Sequence, residues 1–130
     1  MMGMSDATEG SGALQVSLAY YQAWTAKDFD GAMTFVADDI VCDAPAGRLE
    51  GTEAFRDFME PFTKIVTRAE LIAAFGDDRT ALLMYDTDTV PVRHAPGAEC
   101  HSVDNGKITH ITIIFDRQPF TDARAAASSG

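Results

Sequence analysis

Two acid or acid–base pairs stand two residues apart in stretches of alternating polarity: Asp86 and Asp88 in "MYDTDT", and Glu99 and His101 in "AECHSV". A spacing of two puts both members of a pair on one face of a strand. On a pocket face, Asp86 would raise the proton affinity of Asp88 and make it a base near neutral pH; on a solvent face the two are ordinary surface acids. Glu99 beside His101 has the pattern of a carboxylate-oriented imidazole, an acid–base unit, unless both sit at a sheet rim with no chemical role. The facing of His101 turns on the following "DNG". A two-residue turn at Asn105 and Gly106 pairs His101 with His110, whereas a three-residue loop with Gly106 left-handed pairs His101 with Thr109 and sends His110 to the far side. Tyr20 has an apolar body and a hydroxyl that either polarises a ligand carbonyl or bonds a backbone oxygen.

The elements that must position these groups follow from periodicity. After Ser11, a candidate N-cap, Leu14, Leu18, Tyr21 and Thr25 recur at helical spacing with Tyr20 and Trp24 on the adjoining flank. Asp28 caps a short second helix carrying Phe29, Met33 and Val36, ended by Asp38 and Asp39. Alternation starts at Ile40: Ile40, Cys42 and Ala44 face one way and Val41 and Asp43 the other, until Pro45 closes the strand. A loop with Gly47 and Gly51 leads to Thr52, the expected N-cap of a third helix with Phe55, Phe58, Met59 and Phe62 on its stripe, which Pro61 kinks or restarts. From Ala69 the period changes to two, and "AELIAAFG", "RTALLMYDTDTVPV", "AECHSV" and "KITHITIIFD" read as four strands joined by hairpin-length links. The order calls for an α+β fold, a curved antiparallel sheet with three helices gathered on one face. Residues 1–12 and 121–130 read as disordered tails around one domain, 13–120.

The chain has 130 residues, 46% of them hydrophobic, enough for one core. Ten basic against twenty acidic residues give a net charge of −10, which repels phosphate backbones and anionic lipid heads; nucleic acid and membrane are excluded as partners. No signal-peptide pattern or span-length apolar run stands out, so the protein reads as cytoplasmic. In that reducing compartment Cys42 and Cys100 are free thiols, and no spacing suggests a metal site. Cys42 has no activating partner and reads as lining rather than nucleophile.

"YYQAWTAKDFDGAMTFVADDIVCDAPAGRLEGTEAFRDFM" together with "DNGKITHITIIFDRQPF" resembles the SnoaL-like, ketosteroid-isomerase-like branch of the nuclear transport factor 2-like superfamily, over residues 14 to 120. The resemblance implies a cone-shaped, cystatin-like α+β barrel whose sheet wraps an apolar pocket, and a homodimer formed through the outer sheet face. It implies Trp24, Cys42, Ala44, Phe58, Asp86, Ile111, Ile113 and Phe115 as substrate-binding residues, and Tyr20, Asp88, Glu99 and His101 as catalytic ones. Laid over steroid isomerases, the general-base aspartate falls at Ala44, with Asp43 one place off and so reversed in facing; the oxyanion-hole tyrosine falls on Tyr20, and the oxyanion-hole aspartate close to Glu99. Laid over limonene epoxide hydrolases, one catalytic aspartate falls at Asp88, but the arginine falls at Asp86 and the second aspartate at Ile113. The function this implies is binding of a small apolar, oxygen-bearing polyketide, terpenoid or steroid-like molecule, with cofactor-free acid–base isomerase, cyclase or hydrolase chemistry. The alternative is a non-catalytic ligand-binding or dimeric scaffold domain. Asp116, at the end of the last strand, either reaches the pocket mouth or packs there with Arg117 or Arg48.

Overall fold

A computed structural model describes residues 12–129. Residues 1–11 of the expected N-terminal tail, and Ser11 as N-cap, lie outside the described residues. The elements in chain order are α1 (Gly12–Thr25), α2 (Phe29–Met33), β1 (Val36–Ala44), β2 (Gly47–Glu50), α3 (Thr52–Ile65), β3 (Val66–Gly76), β4 (Thr80–Thr89), β5 (Ala95–Asp104), β6 (Lys107–Phe115) and α4 (Gln118–Ser129). The class is α+β. Six strands lie in the order β2-β1-β6-β5-β4-β3, in a curved sheet that does not close into a barrel.

Not every neighbour in this sheet is antiparallel as the sequence suggested. β1 pairs with β6 in parallel, Cys42 beside Ile111 and Asp43 beside Thr112, while the other four pairings are antiparallel. A parallel pair needs a long crossover, here the helix and strands that intervene between β1 and β6. β1 also starts earlier than its alternation suggested: α2 ends at Met33, and Asp38 and Asp39 are solvent-facing strand residues rather than helix stops. The stretch read as a loop after Pro45 forms β2, a hairpin partner of β1 with Ala44 opposite Gly47 and Asp43 opposite Arg48.

α1 lies across β3, β4, β5 and β6. Its buried face is Ala13, Ser17, Tyr20, Tyr21 and Trp24, rotated from the stripe of Leu14, Leu18 and Thr25. Tyr20 and Trp24 bury more area than the leucines, so the flank becomes the centre and Leu14 and Leu18 become half-buried margins. Asp28 caps α2 as expected, its Oδ1 accepting from Gly31 N at 2.9 Å. Lys27, held at φ 70°, donates its ammonium to the carbonyls of Thr63 and Val66, which ties the end of α3 to the loop after α1.

Two helix expectations need correction. α3 is N-capped by Gly51, not Thr52, and runs through Pro61 without interruption. Residues 121–130 are not a tail throughout: α4 extends to Ser129. Its alanine run has the highest helix propensity of any residue, Asp116 Oδ1 accepts from Gln118 N at 3.0 Å, and Phe120 stands edge-on to Phe115 with centroids 6.0 Å apart. Asp116 thus fixes the helix start.

Gly51 has φ 91° and ψ 162°, a region essentially restricted to glycine. Gly51→Ala is expected to destabilise the fold by about 1–3 kcal/mol, read as a lower urea midpoint with unchanged m. Thr52→Ala should stay within about 0.5 kcal/mol; a loss of about 1 kcal/mol there would restore Thr52 as the cap.

Candidate functional site

In the hairpin after β5 His101 has neither of the two expected partners, although His110 faces away from it as the three-residue loop implied. Asn105 (φ 53°) and Gly106 (φ 74°) form a two-residue turn closed by Asp104 and Lys107, but a bulge between Ser102 and Val103 then shifts the ladder, so that His101 stands opposite Ile111 and Glu99 opposite Ile113. The extra residue reverses facing. His101 and Glu99 therefore look into the helix-covered side, and His110 looks out, where its Nε2 lies 2.8 Å from Asp43 Oδ2. Asp43 is also bonded by Arg48 at 2.8 Å. Arg48 and then His110 hold its carboxyl below the usual carboxylate range. It is an outer-face residue, and Ala44 is the one turned toward the core.

Inside, four polar side chains form one chain of hydrogen bonds. Ser17 Oγ lies 2.7 Å from His101 Nδ1, His101 Nε2 lies 2.8 Å from Glu99 Oε1, and the Tyr85 hydroxyl donates to Glu99 Oε2. Relative exposure is 0% for Ser17 and His101, 2% for Glu99 and 4% for Tyr85. A carboxylate so deep in a protein is tolerated only with its lone pairs occupied, and here both oxygens are. Burial, and then the Glu99 charge, push the Tyr85 phenol well above its ordinary value, so it remains a neutral donor. Tyr20 is raised by the same two causes in the same order. Its ring meets His101 edge-on at 5.5 Å, and its hydroxyl, like Trp24 Nε1, has no hydrogen-bond partner among the described residues.

Next to this network lies an apolar cavity of about 70 Å³. Phe58, Phe62, Ile113, Phe115 and Phe120 form walls and Tyr85 and Gly97 lie in its lining. Gly97 lies close against Tyr85: a Cβ there would stand 3.0 Å from the ring, which would have to shift. Of the residues expected to bind substrate, Phe58, Ile113 and Phe115 line this cavity. Trp24, Cys42 and Ile111 are core residues outside its lining, and Ala44 is a half-buried neighbour of that core. Burial pushes the Cys42 thiol up to about 12, so it stays protonated and inert. Cys100 points to the other face, and both thiols are free.

The two aspartates are where the sequence misled. Along β4, Ala81, Leu83, Tyr85, Thr87 and Thr89 are buried and the residues between face outward. Asp88 and Asp86 stand on the outer face, both bonded by Arg68 from β3, with Nε to Asp88 at 2.9 Å. His94 adds its N–H to Asp88 at 2.9 Å and its ring to Asp86 at 3.1 Å. Instead of raising one another, both carboxyls are lowered, Asp88 to about 2, chiefly by Arg68. Asp88 is no base, and Asp86 is not in the lining of this cavity. Tyr85, immediately before Asp86 and on the opposite face, is the residue of this stretch that lines the cavity; the alternation of "YDTDT" carried that signal. Ser17 was not singled out from the sequence, and a small hydroxyl one turn before Tyr20 was its clue. Among the described residues, no three His, Cys, Asp or Glu side chains are placed to hold a metal ion, and no helix is long and apolar enough to cross a membrane.

Residues 18–111 match the SnoaL-like domain family. A solved structure from Kribbella flavida DSM 17836 is 56% identical, covers 95% of this chain and 99% of that chain, and superposes with a TM-score of 0.89. A nuclear transport factor 2-like protein of unknown function from Burkholderia xenovorans LB400 is 25% identical over 78% of this chain and 80% of that one, TM-score 0.70. A Sinorhizobium meliloti protein designated a candidate polyketide cyclase is 20% identical over 77% of this chain and 94% of that one, TM-score 0.68, and shares the fold. No curated protein sequence matches the chain.

A carboxylate depressed in the fold stabilises it above its unfolded pKa and loses that contribution as pH falls through the folded value. The contribution of Asp88 is therefore complete above about pH 4 and fades toward pH 2. Carboxyl carbon NMR should give Asp88 a midpoint of about 2, moving up toward the ordinary aspartate range in Arg68→Gln; an unmoved midpoint would discard the ion-pair account.

Proposed function

This chain belongs to the SnoaL-like domain family, and we propose that it binds a small apolar, oxygen-bearing molecule and moves a proton on it without a cofactor. The observation that carries this reading is Tyr85: it lines an otherwise apolar cavity, and its hydroxyl is bonded to a carboxylate that is itself buried. Apolar walls with a single convergent polar group are what a site for such a ligand requires.

The proton path follows from the bonds. Tyr85 donates its hydrogen to Glu99, which leaves lone pairs of the phenol oxygen free to accept. As a ligand proton bonds to the Tyr85 oxygen, the phenol proton passes to Glu99, which becomes a neutral acid, and the electron pair left on the ligand is delocalised into its carbonyl as an enolate. Return of the proton to a different atom is an isomerisation; attack of the enolate within the same molecule is a cyclisation. Glu99 is thus the base and Tyr85 its carrier, with His101 and Ser17 fixing the second carboxylate oxygen from behind. Tyr20 and His101, read from sequence as touching the ligand, serve in this scheme from one layer deeper. The candidate polyketide cyclases of the same fold make polyketide-type ketones the first substrates to try, with terpenoid and steroid-like ketones after them.

A second copy of the chain is the proposed partner. Phe75, Leu82, Met84 and Ile114 are exposed on β3, β4 and β6, and Met84, Ala98 and Ile114 lie in one row across three strands of the outer face. Apolar patches of this kind mark association surfaces. Light scattering should give twice the chain mass for the native protein and a single mass for Met84→Glu; a native monomer at micromolar concentration would remove the dimer.

Catalysis is tested with 2-tetralone in D₂O. The protein should accelerate loss of its α-proton NMR signals, and Tyr85→Phe and Glu99→Gln should each lower that rate by roughly 100-fold or more while saturation-transfer binding persists. Binding without exchange in the native protein would favour the ligand-binding, non-catalytic alternative. Undiminished exchange in both variants would remove the relay.

A further inference from the structure

Beside the cavity lies a second, larger cleft of about 370 Å³, and Phe58, Phe62, Phe115 and Phe120 are common to the linings of both. The cleft lies where α3, the end of β6 and α4 meet, and its polar lining is Arg117, Thr121 and Arg124. This composition runs against the rest of the chain. Acids outnumber bases twenty to ten overall, yet the cleft is lined by two arginines and no carboxylate. Arg48, Arg56 and Arg68 each have carboxylate partners, whereas Arg117 and Arg124 form no ion pair among the described residues. The acids closest in sequence are already engaged: Asp116 accepts from Gln118 N, and Asp122 accepts from Gln118 Nε2 at 2.8 Å. Arg117 immediately precedes α4, and Arg124 lies seven positions on, two helical turns, so both rise from the same side of the helix.

We propose that this protein selects ligands bearing a carboxylate, with the apolar body in the phenylalanine-lined cavity toward Tyr85 and the anionic end held at the mouth by Arg117 and Arg124. The proposal rests on the cavity being the ligand site and adds the ligand's charge class. Arginine is suited to it, since the guanidinium fork bonds both oxygens of a carboxylate at once. Two neighbouring guanidinium groups with no ion pair among the described residues also give an anion a favourable approach to a strongly acidic protein. Neutral ketones and esters of the same shape gain only the apolar contacts.

The test compares 2-naphthoate with methyl 2-naphthoate, equal in ring system and different in charge, by calorimetric titration of the native chain, Arg117→Gln/Arg124→Gln and Gly97→Leu. The expected result is an acid that binds at least about tenfold more tightly than its ester. In the double arginine variant the ester affinity should be unchanged and the acid should fall to within about twofold of it, with the salt dependence of acid binding lost. Equal affinity of acid and ester in the native chain, with both abolished by Gly97→Leu, would overturn the carboxylate preference and leave the cavity reading intact. Acid preference that survives the double variant would overturn the role of the two arginines. Failure of both probes to bind would overturn the cavity reading and this proposal with it.

Discussion

Glu99 is a carboxylate placed where water does not reach, and the interior is arranged around making that tolerable. Transfer of an unpaired carboxylate into a medium of low polarity costs far more than a domain's whole stability, so the charge has to be met by donors on both oxygens. Tyr85 from β4 meets one, and His101, two places beyond Glu99 on β5, meets the other. Ser17 then fixes the imidazole from α1. The polar chain thereby ties the first helix to the centre of the sheet, and the same bonds that satisfy the charge aim a phenol at the cavity.

This arrangement explains several choices that look unrelated in the sequence. Gly97 is small because the Tyr85 ring lies against it. The bulge near Ser102 sets the phase that turns His101 inward and His110 outward. Tyr20 and Trp24 close the space above the network as the largest fully buried side chains. The outer face carries its charges in local pairs and triads, Asp43 with Arg48 and His110, Arg68 with Asp86 and Asp88. Those exposed groups contribute modestly to stability, and they draw no chemistry from the interior.

Much of the architecture was legible because it is periodic. The alternation along Ile40, Cys42 and Ala44, the strands from Ala69 onward and the Asp28 cap are local patterns, and local patterns survive folding. Glu99 and His101 were readable as a pair by their spacing alone. What was not legible depends on phase or on distant partners. Alternation along "MYDTDT" favours solvent for the two acids, and the partner that holds them on the outer face, Arg68, lies eighteen residues before Asp86. The bulge after His101 has no glycine or proline to announce it. The helical C-terminus depends on alanine propensity and Phe120 rather than on an amphipathic stripe, and β2 is four residues whose strand character comes from its partner. Ser17 gains its role from a histidine 84 positions away.

The central claim is that Tyr85 and Glu99 act as one unit. A double-mutant cycle on Tyr85→Phe and Glu99→Gln, followed by urea unfolding at pH 7, tests it most directly. The account predicts that the two effects are not additive, with a coupling of about 1–3 kcal/mol. Additivity within about 0.3 kcal/mol would mean that the phenol and the carboxylate are independent, and the relay from cavity to interior would go with them.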